Sequence, residues 1–273
     1  MRAVFSELLV EAAGRGGAVG AFTCYNLETA QGVLEAAAGR GRAVILLVSR
    51  ESFAGPGGEV LLPALAAAAA HASVPACVQL DHVSDLGLIE RASDLGADAV
   101  MADGSKLPLQ ENIDLVRAAR ALAGEVEAEL GVIEGDEDVA AAVEAGALTD
   151  PVKAASLAGE SGAACLAVSI GNVHGHYRLP PRLDWARLEQ IRARVDVPLS
   201  LHGASGLADE DLGRAISLGI RKVNVNTELR EAYLEATAER LGAVRDEARV
   251  LDLNRRQVAA VAEVVGRKLN VLG

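Results

Sequence analysis

Leu201-His202-Gly203-Ala204-Ser205-Gly206-Leu207 follows a short apolar run, Val197-Pro198-Leu199-Ser200, and precedes Ala208-Asp209-Glu210-Asp211. The apolar run has the composition of a buried strand. The acidic triplet suits the first turn of a helix, where the macrodipole favours carboxylates. His202 therefore stands at the C-terminal tip of a strand. The glycines and Ser205 after it carry backbone N–H groups able to hold an anion. The segment has two readings. One is a phosphate cradle beside a metal-binding or proton-handling imidazole. The other is a tight βα turn in which the His and Ser only cap. Two similar stretches elsewhere in the chain favour the first.

Strand patterns cover 18–24, 43–48, 76–80, 97–101, 125–130, 164–170, 197–201 and 220–225. Helical patterns cover 27–39, the stretch ending at His71, 85–95, 109–123, 152–160, 184–194, 227–241 and 254–269. Strands that alternate with helices predict an α/β fold, a parallel (β/α)8 TIM barrel. A short amphipathic helix precedes it and an extra helix ends it. An open doubly wound sheet is the competitor. The barrel is preferred because the unusual polar residues recur at the C-terminal ends of strands. A barrel gathers those ends at one mouth; an open sheet scatters them. With no repeat, low-complexity tract or linker, residues 1–273 are read as a single catalytic domain.

The chain is 51% hydrophobic, enough for a substantial core, and its net charge of −12 argues against nucleic acid or an anionic membrane as a partner. No apolar run is long enough to span a bilayer, and no signal-peptide pattern is present. Cys24, Cys77 and Cys165 lie in or beside strand-like runs with no paired spacing. They read as reduced core thiols of a cytoplasmic protein.

Of the five histidines, His82 closes the third strand, His174 follows the sixth and His202 closes the seventh. Three neutral imidazoles with an open fourth position make a catalytic zinc site. His71, at a helix end, is expected on the surface, and His176 in a loop contact. Asp81 precedes His82. Neighbouring strand residues point to opposite faces, so both reach the mouth only if the strand ends there. Asp81 is then a proton carrier, the alternative being a cap or an outer carboxylate. In the fifth strand Glu125, Glu127 and Glu129 alternate with Val126, Ala128 and Leu130, which aims three carboxylates to one side. Glu129, at its end, is a possible outer or alternative metal ligand.

The anion-binding candidates are the turn from Gly171 to Arg178, the turn Gly203-Ala204-Ser205, and Asn224-Val225-Asn226-Thr227, where Thr227 can cap the next helix. Barrel enzymes often hold phosphate after strands seven and eight. Arg178 adds a positive charge. Gly131 to Asp138 is a glycine- and acid-rich loop, within a region of weak pattern that runs from Gly131 to Ala147. Its low apolar content predicts poor order without ligand. Composition does not single out Glu137 there from Glu134, Asp136 and Asp138.

These motifs resemble, in order and over nearly the whole chain, those of the class II, zinc-dependent ketose-bisphosphate aldolases, which include fructose- and tagatose-bisphosphate aldolases. The matching segments are Ala21-Phe22-Thr23-Cys24-Tyr25-Asn26-Leu27-Glu28, Leu80-Asp81-His82, Met101-Ala102-Asp103-Gly104-Ser105 and Glu127-Ala128-Glu129-Leu130-Gly131. They continue with Gly135-Asp136-Glu137-Asp138, Asn172-Val173-His174-Gly175, His202-Gly203-Ala204-Ser205-Gly206 and Lys222-Val223-Asn224-Val225-Asn226-Thr227.

The resemblance implies Zn2+ held by His82, His174 and His202. It implies Asp81 as acid/base at the C4 hydroxyl, Glu129 as a carboxylate able to approach the metal, and Glu137 as the loop residue moving the proton at C3. Gly175, Gly203, Ser205, Asn224 and Thr227 fall around dihydroxyacetone phosphate. Asn26, Ser49, Arg178 and Asn226 complete the expected substrate contacts. The carbonyls of Val173, Gly175 and Gly203, with Ser205, match a monovalent-cation site (Na+ or K+) of some members. The implied reaction is reversible aldol cleavage of a ketose 1,6-bisphosphate to dihydroxyacetone phosphate and glyceraldehyde 3-phosphate, in a homodimer or homotetramer. Fructose 1,6-bisphosphate is the first choice of substrate. Tagatose bisphosphate, or another dihydroxyacetone-phosphate-dependent reaction, is the alternative, because Asn226 stands where fructose-specific members often carry Asp and tagatose-type members Ala. Arg178 replaces a common Lys, and Asn254-Arg255-Arg256 departs from the usual C-terminal pattern. Two rivals are a Schiff-base aldolase using Lys222 and a non-catalytic partner subunit.

Overall fold

The fold is given by a computed structural model that describes residues 1–134, 142–143, 146–177 and 181–273, with the backbone alone at 142, 143, 176 and 242–247. The first half of the chain forms α1 (Phe5–Gly14), β1 (Val19–Thr23), α2 (Leu27–Ala38), β2 (Val44–Ser49), α3 (Arg50–Ala54), α4 (Gly58–His71), β3 (Ala76–Val83), α5 (Leu86–Asp94), β4 (Ala99–Ala102), α6 (Leu109–Ala123) and β5 (Val126–Leu130). The second half forms β6 (Ala142–Val143), α7 (Pro151–Ser161), β7 (Cys165–Val168), β8 (His176–Tyr177), α8 (Trp185–Arg192), β9 (Leu199–Leu201), α9 (Asp209–Ser217), β10 (Ile220–Val225), α10 (Thr227–Glu247) and α11 (Val250–Leu272). Eight strands close in the order β1-β10-β9-β7-β5-β4-β3-β2, each pair parallel. This is the (β/α)8 barrel expected from the alternation, with the short helix before it and α11 after it.

Two features were not expected. The helix α3 has five residues and is started by Ser49, whose Oγ accepts from the Ser52 N–H at 3.2 Å. The strands β6 and β8 have two residues each and pair with one another. Neither is long enough to show a period.

Strand alternation sorts the side chains into two sets. Val44, Leu46 and Val48 of β2, with Val78 and Leu80 of β3, face outward under the helices in the main core. Ile45, Leu47 and Cys77 point inward with Val19, Ala21, Ala99 and Cys165, and meet Phe5, Leu8, Leu9 and Ala12 of α1. The helix α1 thus plugs the N-terminal end of the barrel with apolar side chains. All three cysteines are buried and free, and burial pushes the Cys24 thiol up to about 12. They are packing groups, as expected.

Caps fix where the strand tips end and helices begin. Asn26 closes a capping box with Thr29 at α2, and Asp85, Asp150 and Asp184 cap α5, α7 and α8. Each such cap contributes about 1 kcal/mol. The last helix, α11, lies against α2 at Gly32, where a Cβ would stand 2.8 Å from Val261 Cβ. That approach needs glycine.

The plug makes a stability prediction. Phe5→Ala removes a fully buried ring and should cost about 3–5 kcal/mol in a denaturant melt. A loss below about 1 kcal/mol would mean that α1 does not close the barrel.

Candidate active site

The inward-facing set changes character along each strand. In β3 it runs Cys77, Gln79, Asp81; Gln79 bonds Glu127, the inward residue of β5, at 2.8 Å. In β10, Lys222 and then Asn224 face the same interior. Apolar side chains fill the barrel floor, charged ones its middle, and ligand-like groups its C-terminal mouth. Of the three glutamates aimed to one side, Glu127 and Glu129 are buried among these groups. Glu125 precedes β5 and instead accepts from Ser6 N–H at 3.1 Å, near the floor.

Asp81 and His82 both reach the mouth, though adjacent. The β3–β4 register shifts between Leu80 and Val83, and His82 has φ 50°. That left-handed conformation is uncommon outside glycine. It turns His82 to the side where Asp81 already points, so β3 need not end there; it runs on to Val83.

The imidazoles of His82, His174 and His202 converge. Ring centroids are 4.9 Å apart for His82–His202, 5.0 Å for His82–His174 and 6.0 Å for His174–His202. One ligand atom from each lies within 4.8 Å of the others. His82 Nε2 faces His202 Nδ1 at 3.0 Å. The opposite nitrogens meet carboxylates: His82 Nδ1 has Asp103 at 3.2 Å and Glu129 at 3.4 Å, and His202 Nε2 has Glu127 at 2.9 Å. With N–H groups directed at carboxylates, the two facing nitrogens keep lone pairs. Two nitrogens bound at about 2.0–2.1 Å to one tetrahedral zinc stand about 3.3 Å apart. The donor set fits zinc.

Beside the trio, Gly175, Gly203, Ser205, Asn224, Asn226 and Thr227 line a small pocket with His174. Gly203 has φ 62°, and a Cβ there would collide with the Val173 carbonyl, so the turn requires glycine. The Ser205 hydroxyl is buried with no hydrogen-bond partner among the described residues. A wider cleft also borders His174 and is lined in part by Arg50, Ser84, Ser105 and Lys106.

Residues 4–273 match the family described as Fructose-bisphosphate aldolase class-II. The chain belongs to the class II fructose-bisphosphate aldolase family. The YdjI aldolase from Escherichia coli K12 is similar at 32% identity and TM-score 0.88, over 100% of this chain and 98% of that one. A candidate fructose-1,6-bisphosphate aldolase from Coccidioides immitis has 30% identity and TM-score 0.88, over 97% and 94% of the two chains. Fructose-bisphosphate aldolase (Fba) from Campylobacter jejuni shares the fold at 21% identity and TM-score 0.79, over 99% and 95%.

This aldolase, a lyase, carries three carboxylates behind its imidazoles. Burial pushes the Asp103 carboxyl up, but His82 and Ser105 outweigh it and hold it well below the usual range. Burial would also raise Glu127, yet Lys222 and His202 keep it far below. Glu129 goes the other way: burial, then the negative charge of Asp103, raise it well above the ordinary value. Its Oε2 accepts no hydrogen bond among the described residues. Glu129 stands with Asp103 on the outer nitrogen of His82, and these three groups are also close enough to hold an ion.

Lys222 does not suit the Schiff-base reading. Burial lowers its ammonium, but Glu127 and Asp81 more than offset this and raise it. Held at 2.7 Å from Glu127, it keeps its proton and lacks a nucleophilic lone pair.

The remaining expected residues divide. Asn26 and Ser49 serve as helix caps and do not line the small pocket. Asn226 takes the cap position expected of Thr227: its carbonyl accepts from Leu229 and Arg230 N–H at 2.9 and 3.1 Å, and Thr227 is the first helical residue. The Gly203 carbonyl, expected at a cation site, accepts from the Tyr177 hydroxyl at 3.0 Å. His71 is exposed. Glu137 and Arg178 lie outside the described residues, as does most of the loop expected to be poorly ordered. Asp103 and Glu127 were missed as site residues. Each had a signal: Asp103 directly follows β4 and precedes Gly104-Ser105, and Glu127 is the middle one of the three alternating glutamates of the fifth strand.

His82→Ala, His174→Ala and His202→Ala should each lower bound zinc and abolish cleavage, since three ligands leave no redundancy. Metal analysis and an aldol-cleavage assay check this. Unchanged zinc and activity in one variant would remove that residue from the site.

Proposed function

We propose that this aldolase catalyses zinc-dependent, reversible cleavage of a ketose 1,6-bisphosphate, with fructose 1,6-bisphosphate as first candidate. The products are dihydroxyacetone phosphate and glyceraldehyde 3-phosphate. The observation that carries this is the convergence of three imidazoles beside a glycine-built polar pocket, in a chain of this family.

His82, His174 and His202 would hold the zinc, which when bound supplies Lewis acidity to the ketose oxygens as the C3–C4 bond breaks. Asp81 takes the C4 hydroxyl proton. Its Oδ1 is buried with no hydrogen-bond partner among the described residues, which suits a base awaiting substrate. Gly203, Ser205, Asn224 and Thr227 receive the C1 phosphate, Gly175 and Asn226 complete that pocket, and Glu137 returns a proton at C3. The aldehyde half extends into the wider cleft, where Arg50 and Lys106 supply cations for the distal phosphate. Arg178 joins the substrate contacts, and a Na+ or K+ ion near Val173, Gly175, Gly203 and Ser205 would steady the phosphate turn.

Residues 1–273 act as one catalytic domain in a cytoplasmic homodimer or homotetramer. Consistent with this, no helix among the described residues is long and apolar enough to cross a membrane. Leu234 of α10 and Leu251 of α11 are exposed apolar residues that an assembly could cover.

Assays of fructose and tagatose 1,6-bisphosphate, with chelator and with zinc restored, test the reading. Chelator should abolish cleavage and zinc should return it; full activity in chelator would overturn the metal role. Glu137→Ala should keep zinc and substrate binding but lose most of kcat and the exchange of a dihydroxyacetone phosphate proton with solvent deuterium. Exchange at the wild-type rate would assign the proton to another residue.

A further inference from the structure

We infer that Lys222 is the positioning residue of this site. Its one buried ammonium fixes the tautomer of His202, through Glu127, and the orientation of Asn224 toward Asp81. The inference deepens the zinc reading and takes its metal from it.

Glu127 is surrounded by four donors. Oε1 meets the Ser200 hydroxyl and His202 Nε2; Oε2 accepts from Gln79 Nε2 at 2.8 Å and from Lys222 Nζ at 2.7 Å. An ionised carboxylate has about four acceptor sites and no hydrogen to give. All four are used here, so His202 Nε2 must carry its proton. Its Nδ1 is then a lone pair, and Nδ1 is the nitrogen facing His82. Lys222 makes this arrangement possible by keeping a fully buried carboxylate charged.

The same ammonium donates to Asn224 Oδ1 at 2.7 Å. A lysine ammonium only donates, so it settles which end of the amide is which. The Asn224 amide nitrogen then lies 3.1 Å from Asp81 Oδ2 and 3.3 Å from His202 Nδ1. A flipped amide would set NH2 against NH3+ and a carbonyl oxygen against a carboxylate. With Oδ2 held by Asn224, Asp81 keeps Oδ1 for the substrate. A metal ligand and the proposed base are thus aligned by one cation. Buried ion pairs can often be replaced by apolar groups without loss of stability. Keeping this one at the centre of the barrel points to positioning.

Histidine-labelled nitrogen NMR of the metal-free wild type is the first test. The Nε2–H tautomer of His202 is expected, and Nδ1–H would overturn the inference. The second test is the variant Glu127→Gln/Lys222→Met, which removes both charges at nearly constant volume and so strands neither. Zinc affinity by chelator competition should fall about 10–100-fold. At saturating zinc, kcat should fall by about tenfold or more while KM for the ketose changes little, because Asp81 loses its aligned partner. Wild-type zinc affinity and kcat in a folded double variant would overturn the assignment. If that variant does not fold, the wild-type tautomer decides alone. A wild-type protein that binds no zinc defeats the metal reading, yet the metal-free spectrum still tests what Lys222 does.

Discussion

Imidazole lone pairs that face one another at hydrogen-bond distance repel unless a positive centre comes between them. His82 Nε2 and His202 Nδ1 are held in that relation at 3.0 Å. What holds them is the set of carboxylates on the far side of each ring. A carboxylate that orients a metal ligand must itself be ionised, and in a barrel interior ionisation is costly unless it is paired. Asp103 meets the need with Ser105, whose N–H and hydroxyl both donate to it. Glu127, deeper and out of contact with water, needs a full counter-charge, and Lys222 is the cation the next layer provides. The polar middle of this barrel follows from the lone pairs at its mouth.

That polar middle would be a liability in an unsupported sheet. Here it lies between two apolar shells. Outward-facing Val, Leu and Ile residues of the strands pack under the helices, and α1 seals the floor with Phe5, Leu8 and Leu9. The low-dielectric surroundings strengthen the Glu127–Lys222 attraction and also make it costly to break; removing one partner of a buried pair typically costs about 3–5 kcal/mol. Stability and ligand geometry are coupled at this point. The mouth is less constrained. Positive φ at His82, Gly175 and Gly203 lets the backbone turn side chains and N–H groups toward one small volume.

The barrel was legible because each strand is a short apolar run and each helix an amphipathic one. Even α6 was placed at its true ends, Leu109 and Ala123. The convergence of the histidine trio was legible because side chains that meet at a barrel mouth stand near strand ends, and His82, His174 and His202 stand at or after strand ends. Partners in space were not. Nothing in the order of residues says that Glu127 and Lys222, or Asn224 and Asp81, touch across the barrel; that depends on register and on layer height. The bulge at His82 was also hidden, since alternation alone placed Asp81 and His82 on opposite faces. Asn26 and Ser49 show the converse. Both are expected substrate contacts, and each also caps a helix. Capping and substrate contact use the same short polar side chains at strand ends, so sequence does not separate them.

Zinc-edge X-ray absorption on the zinc-loaded protein tests most directly whether the three imidazoles form one metal centre. The account predicts a first shell with three imidazole nitrogens at about 2.0–2.1 Å and the remaining position filled by oxygen. Fewer than three imidazoles, or sulfur at about 2.3 Å from a cysteine thiolate, would contradict it.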